Sequence, residues 1–390
     1  MRPTAALIVE SGRTRGALAA ARALGASGWR VGVGSPSGRG LAASSRWASR
    51  SHVVPAPELD LQGFVEAVND ASEEARYDVV FGGGDAETLA LSAQRAQIRP
   101  IVPHAPHERL VAGIDKLALT EAARRAGIAT PRTEAIDAEG SYGGPLPAIV
   151  KARLHAPLLG SAGPARVEAG VVRDEATARA AIAAMREAGV EPIVQELVAG
   201  SLGALAVVVD REGQIAAAVQ QVAERTWPAG VGISVRARSV DVDEALAGRV
   251  RELLGDLGWF GLAQLQFLVP LDGPPTLIDL NGRFYGSLAL AVAAGVNLPA
   301  IWARLAAGEV AGAPGRAATG VRYQWLEGDL RYAASGAGGG RLAAGLDCLR
   351  YGRGAAHSVW SGEDPKPAAA ALMGIPRRVI PRIRRGSAAR

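Results

Sequence analysis

Leu262-Ala263-Gln264-Leu265-Gln266-Phe267-Leu268-Val269 is followed, after Leu271-Asp272-Gly273-Pro274-Pro275, by Thr276-Leu277-Ile278-Asp279-Leu280-Asn281-Gly282-Arg283. Successive side chains of a strand point to opposite faces. The first run therefore buries Ala263, Leu265, Phe267 and Val269 and puts Gln264 and Gln266 on the other face. The glycine-proline loop turns the chain back, and in the second run Ile278 and Leu280 are expected in the core with Asp279, Asn281 and Arg283 opposite. Such a hairpin offers a carboxylate, amide oxygens and one guanidinium from a single surface. That donor set suits Mg²⁺, which takes one or two carboxylates and completes its shell with phosphate oxygens and water; Arg283 is placed to hold a phosphoryl oxygen. A half-exposed hairpin with a solvated polar face satisfies the same pattern.

Upstream, lysine is the informative residue. Of 43 basic side chains only Lys116, Lys151 and Lys366 are lysine, and a compact ammonium on a flexible stem does what a planar guanidinium does not. Lys116 stands in Gly113-Ile114-Asp115-Lys116 ahead of a helical stretch ending at Gly127, and Lys151 ends the apolar run Ala148-Ile149-Val150. Either both direct charge at one polyphosphate or both are ordinary solvated lysines. Between Lys151 and the hairpin lies a second α/β unit: Val171-Val172, a helix over residues 175–188 closed by Gly189, and a strand over 192–198 leading into Ala199-Gly200 and a further β run at 204–209.

The first hundred residues alternate strand and helix. Apolar runs at 5–9, 29–33, 53–54, 79–81 and 101–102 are separated by helical patterns, including 61–75 and 86–96, which reads as a doubly wound parallel sheet. The first turn, Glu10-Ser11-Gly12-Arg13-Thr14-Arg15-Gly16, lacks the full dinucleotide fingerprint, so the layer is Rossmann-like without a bound NAD. Gly82-Gly83-Gly84-Asp85-Ala86-Glu87-Thr88 opens a helix, where either an anion meets the backbone amides or Asp85 is the cap.

Composition bounds the rest. The 390 residues are 48% hydrophobic and 21% charged, enough for two or three packed domains. One cysteine, Cys348, excludes an intramolecular disulfide framework, and the absence of a leader pattern points to a cytoplasmic protein. The apolar run 287–303 is interrupted by Asn297 and Pro299 and reads as a buried helix rather than a membrane span. Net charge is +5, with the arginines dispersed except for Arg377-Arg378 to Arg382-Ile383-Arg384-Arg385, read as a solvated end rather than a nucleic-acid or membrane foothold. The five histidines are scattered, and no Ser/His/Asp or Cys/His set is present.

Taken in order, Asp115-Lys116 with Gly127-Ile128-Ala129-Thr130-Pro131, Ile149-Val150-Lys151, Val194-Gln195-Glu196-Leu197-Val198-Ala199-Gly200, the loop 223–235 with Gly230 and Gly232, and Ile278-Asp279-Leu280-Asn281-Gly282-Arg283-Phe284-Tyr285-Gly286-Ser287 resemble the ATP-grasp superfamily of carboxylate-amine ligases, in its carbamoyl-phosphate-synthase-like group. The likeness covers roughly residues 1–330, with a looser echo in Glu363-Asp364-Pro365-Lys366-Pro367.

The resemblance implies an α/β and α+β architecture: a Rossmann-like domain over 1–105, a two-subdomain ATP-grasp module split into 106–195 and 196–330, and a C-terminal extension with a basic tail over 331–390. It implies ATP and Mg²⁺, with Lys116 and Lys151 on the phosphates, Glu196, Leu197 and Val198 at the adenine, Gln266, Asp279 and Asn281 on the metal, and Arg283 on the transferred phosphoryl group. Arg225 and Arg236, which flank the glycine loop, are the candidates for gripping a substrate carboxylate. The implied partners are a small carboxylate and an amine, with no nucleic acid or membrane and a homodimer expected at family level. Two departures weaken the match: Gln266 stands where relatives carry glutamate, and Ser201-Leu202 follow Gly200 where relatives often place an acid for the ribose. The competing readings are a non-catalytic ATP-binding homologue with an impaired metal site, and a nucleic-acid-associated protein using the basic tail.

Overall fold

The computed structural model describes residues 4–137, 140, 142–154, 169–230, 232–310, 312, 315–336 and 340–373. The arginine cluster at 377–385, His155 and Val231 of the glycine loop lie outside that set.

The first unit runs β1 (Ala5–Val9), α1 (Arg15–Ala26), β2 (Arg30–Ser35), β3 (Ala48–Val53), α2 (Leu61–Ala75), β4 (Val79–Gly82) and α3 (Asp85–Ala93). Its sheet is four-stranded in the order β3-β2-β1-β4 and wholly parallel. β1 and β4 are buried along their whole length, as continuous apolar runs in a parallel sheet must be. The expected fifth strand at 101–102 is reduced to a bridge between Val79 and Ile101.

Next come α4 (His107–Ile114), α5 (Lys116–Arg125), β5 (Thr133–Ala135), β6 (Ala148–Ala152), β7 (Gly170–Val172), α6 (Glu175–Glu187) and β8 (Pro192–Glu196). The four strands form an antiparallel sheet ordered β5-β8-β6-β7. Ala178, Ile182 and Met185 of α6 share its core with Ala148, Val150 and Val194.

The largest sheet is built from β9 (Ser201–Val209), β10 (Ile215–Trp227), β11 (Ile233–Val240), β12 (Gly261–Val269) and β13 (Thr276–Asn281), with α7 (Glu244–Asp256) inserted. After α8 (Leu288–Ala293) and α9 (Leu298–Ala306), β14 (Arg322–Gln324) joins it. The chain then forms α10 (Leu326–Ser335), α11 (Arg341–Gly352), β15 (Ala356–His357) and α12 (Lys366–Met373). The sheet order is β13-β12-β9-β10-β11-β14-β15, so the chain beyond 330 supplies one edge strand, β15.

One face of this sheet packs through Leu205, Val207, Ala263, Leu265 and Phe267 against α4, α5 and α7. The other packs through Ala206, Val208 and Leu262 against α9 and the Rossmann-like unit. The apolar run expected as one buried helix is two, because Asn297 caps α9 by accepting from Ala300 N at 3.0 Å. Contact between the units is close. A Cβ at Gly16 on α1 would lie 2.7 Å from the Phe284 carbonyl group, so only glycine lets α1 approach the chain leaving β13.

Candidate functional site: two lysines over an acidic hairpin

Register in the β12–β13 hairpin places Gln264 opposite Asn281 and Gln266 opposite Asp279, so all four polar side chains share one face as the alternation requires. The apolar side differs from expectation. Pairing slips between Gln266/Asp279 and Phe267/Leu277, and this bulge puts Leu277 with Leu280 in the core while Ile278 stays half-exposed. The bulge frees the Ile278 carbonyl, which accepts from Lys151 Nζ at 3.4 Å.

Lys151 reaches the hairpin from β6, and Lys116 comes from the first turn of α5. Asp115 caps that helix by accepting from Leu117 N at 2.9 Å. The same carboxylate takes Arg153 Nε at 2.9 Å and Nη2 at 2.7 Å, and Lys116 N donates to the Arg153 carbonyl at 3.1 Å. This clamp fastens the end of β6 to the start of α5, and Lys151 lies within electrostatic reach of both Lys116 and Asp279. Burial pushes the Lys151 ammonium down to about 8; Asp279 opposes that shift and Lys116 adds to it.

Arg283, just past β13, is held by the Rossmann-like unit. Its Nε and Nη2 donate to the two carboxylate oxygens of Asp85 at 2.7 and 2.8 Å, and Nη1 donates to the Phe284 carbonyl at 3.2 Å. Asp85 is therefore neither the helix cap nor part of an anion cradle: the cap position of α3 is Gly84, and the Asp85 carboxylate is spent on Arg283. Among the described residues these contacts use three of the five guanidinium N–H groups. Nearby Glu87 is pushed up to about 7, chiefly by burial.

Glu196 ends β8, in the short connection that carries the chain from the four-stranded to the seven-stranded sheet. Its backbone N–H donates to the Arg132 carbonyl at 2.8 Å and its Oε2 accepts from Arg132 N at 3.1 Å. Leu197 and Val198 follow, half-buried, in that connection.

Arg225 and Arg236 are brought together, but not with this group. Asp279, Gln266, Ala204, Gln221 and Ser239 form one row across the sheet. Ala237 and Tyr323 lie on the same side as that row, so Arg236 and its neighbour Gln324 point to the other side. There Arg225 Nη1 and Arg236 Nε hold the two oxygens of fully buried Asp329 at 2.8 and 2.7 Å. Both arginines also hold Asp347, at 3.1 and 2.7 Å. Both guanidiniums bind carboxylates of α10 and α11, on the side of the sheet away from the hairpin's polar row.

Of the described histidines, His104 packs edge-on against Trp302 and burial pushes it down to about 3, while His52 bonds the Tyr77 hydroxyl at 2.9 Å. Among the described residues no group of three or more His, Cys, Asp or Glu side chains is arranged to hold a metal. The hairpin is a different donor set, one carboxylate with amide oxygens, and Asn281 turns its Nδ2 onto Gln264 at 3.3 Å, leaving Oδ1 for a cation. It fits a cation that brings phosphate oxygens with it.

Residues 191–329 match the family model described as ATP-grasp in the biosynthetic pathway with Ter operon. Over that stretch the chain is similar to an ATP-grasp family. Similar solved structures include L-amino acid ligase from Bacillus licheniformis, at TM-score 0.62 and 14% identity over 80% of this chain and 76% of that one. The biotin carboxylase domain of 2-oxoglutarate carboxylase from Hydrogenobacter thermophilus, solved with MgADP and bicarbonate, gives 0.61 and 14% over 83% and 74%. N5-carboxyaminoimidazole ribonucleotide synthetase in its ADP complex gives 0.58 and 16% over 81% and 80%. No curated protein matches the sequence. At these identities the structural likeness establishes the ATP-grasp fold, and the mixed α/β architecture expected from the sequence is the one observed.

Three contacts that the sequence did not reveal support these residues: Asp85 behind Arg283, and Arg153 with Asp115 and with the backbone of Lys116. The only sequence signal for the second is spacing, since Asp115 adjoins Lys116 and Arg153 stands two residues after Lys151.

Proposed function

We propose that this protein is an ATP-dependent ligase of the ATP-grasp superfamily that activates a small-molecule carboxylate as an acyl phosphate and condenses it with an amine, releasing ADP and phosphate. The observation that supports the reading is Lys151 Nζ on the Ile278 carbonyl of the hairpin at 3.4 Å, with Asp279 and Lys116 near enough to shift its ammonium. Phosphoryl transfer needs alignment and charge neutralisation more than a covalent nucleophile, and this site supplies both. Lys116 and Lys151 neutralise the phosphates, while the backbone and side chains of Glu196, Leu197 and Val198 take the adenine at the connection between the two sheets. Gln266, Asp279 and Asn281 would hold Mg²⁺, which screens the phosphate charge when bound.

A carboxylate oxygen attacks the γ-phosphorus and ADP leaves; the amine nitrogen then attacks the acyl carbon, the C–O bond breaks and phosphate departs with the amide formed. Arg283, fixed by Asp85, steadies the transferred phosphoryl oxygens.

A screen of carboxylate and amine pairs for ADP and phosphate release, with mass detection of the condensed product, tests this function. Gln266 facing Asp279 favours one rival, a nucleotide binder weakened at the metal. That rival would bind ATP but release no ADP with any pair.

A further inference from the structure

The side of α11 that faces inward is fixed. Asp347 is gripped by Arg225 and Arg236, Ala344 and Cys348 are buried with Ala333 of α10, and the Tyr351 hydroxyl donates to Glu224 at 2.7 Å. Leu342, Leu346 and Leu349, at spacings of four and three residues, are thereby driven outward and stand 88%, 57% and 60% exposed. Rotating the helix to bury them would break the ion pairs that seat it. Three protruding leucines on one helix face form a ridge rather than a groove, and a ridge of this kind marks an interaction surface.

Charge selects the partner. Arg341, Arg350 and Arg353 border the ridge, all exposed, and the carboxylate of the only acid on the helix, half-exposed Asp347, is held by Arg225 and Arg236. Residues 331–390 hold eleven basic and three acidic side chains, a surplus of eight in a chain whose total surplus is five, so the rest of the chain is net negative. Of those three acids, Asp347 and Asp364 are spent on internal arginines. A second copy would set arginine against arginine, and residues 374–390, with six arginines and no acid, would be repelled in the same way. A nucleic acid would match the charge but leave the leucines in water. An anionic lipid surface satisfies both, taking apolar side chains into its interfacial layer and arginines at its headgroups.

We propose that the Leu342–Leu346–Leu349 ridge and its flanking arginines dock this protein peripherally on anionic membranes. Co-sedimentation of the full chain with vesicles of phosphatidylcholine alone, and of phosphatidylcholine with phosphatidylglycerol, is the test. Binding is expected to be at least about tenfold tighter on the anionic vesicles and to weaken with salt. The triple variant Leu342→Ser/Leu346→Ser/Leu349→Ser, checked for its fold by circular dichroism, should lose about tenfold or more. Arg350→Glu/Arg353→Glu leaves the leucines intact and should erase much of the difference between the two vesicle types. Equal binding to both vesicle types, no binding, or full binding by the triple variant overturns the proposal. So does a solution dimer abolished by the leucine changes, or salt-sensitive nucleic-acid binding without lipid binding.

Discussion

In the proposed reaction Lys151 carries the most weight, because its ammonium is partly shut off from water yet would have to carry charge to meet a phosphate. Its pKa in the fold is about 8 against 10.5 in water, so between those values the unfolded chain binds more protons and stability gains from this group as pH rises through that window. Nucleotide binding runs the other way. Phosphate oxygens favour the protonated lysine, so ATP affinity should fall above about pH 8, and binding there should take up protons, seen calorimetrically as a dependence on buffer ionisation enthalpy. Lys151→Ala should abolish turnover while its melting temperature stays within a few degrees of wild type; unchanged activity would remove the residue from the phosphate site. Asp279→Asn should raise the Mg²⁺ concentration needed for half-maximal turnover severalfold, and an unaltered metal titration would take it out of the ligand set. These residues were legible because lysine is rare in this chain and because the hairpin alternates cleanly. Asp85 was not: a carboxylate at a helix start reads as a cap, and its true partner lies 198 residues away.

At the scale of elements, strands were easier to read than their faces. The hairpin's polar face followed from a period of two, whereas the bulge at Ile278 inverted one apolar position with no sign in the sequence. A register shift between Ala223 and Arg225 and carboxylates arriving from 104 and 122 residues away likewise hid the commitment of Arg225 and Arg236 to α10 and α11. Asp329 is fully buried between both arginines. Asp329→Asn should therefore cost about 3–5 kcal/mol, read as a lower urea midpoint and faster proteolysis within residues 326–352; a change under about 1 kcal/mol would show that these helices are held by other contacts. Gly16→Ala tests the joint between α1 and the chain after β13. Its methyl has no room against Phe284, so a loss of about 1–3 kcal/mol together with reduced turnover is expected, since Arg283 adjoins the displaced segment.

Over the whole molecule, the parallel sheet and the two sheets after it were readable from alternation and motif order. The role of residues 331–390 was not. Among the described residues of that segment, β15 completes the seven-stranded sheet, and Asp364 ties the Rossmann-like unit by accepting from Ser45 Oγ at 2.6 Å, Arg46 N at 2.8 Å and Arg22 Nε at 2.9 Å. Short contacts between distant segments leave no periodic trace in a sequence. They link the described C-terminal segment to the first unit and to the seven-stranded sheet, around a nucleotide cleft proposed at Lys116, Lys151 and the β12–β13 hairpin. Calorimetric titration of MgATP into the wild-type chain, Lys151→Ala and Asp279→Asn interrogates that cleft directly. The account predicts one saturable site in the wild type, weakened about tenfold or more by each substitution. Equal affinity in all three proteins would contradict it.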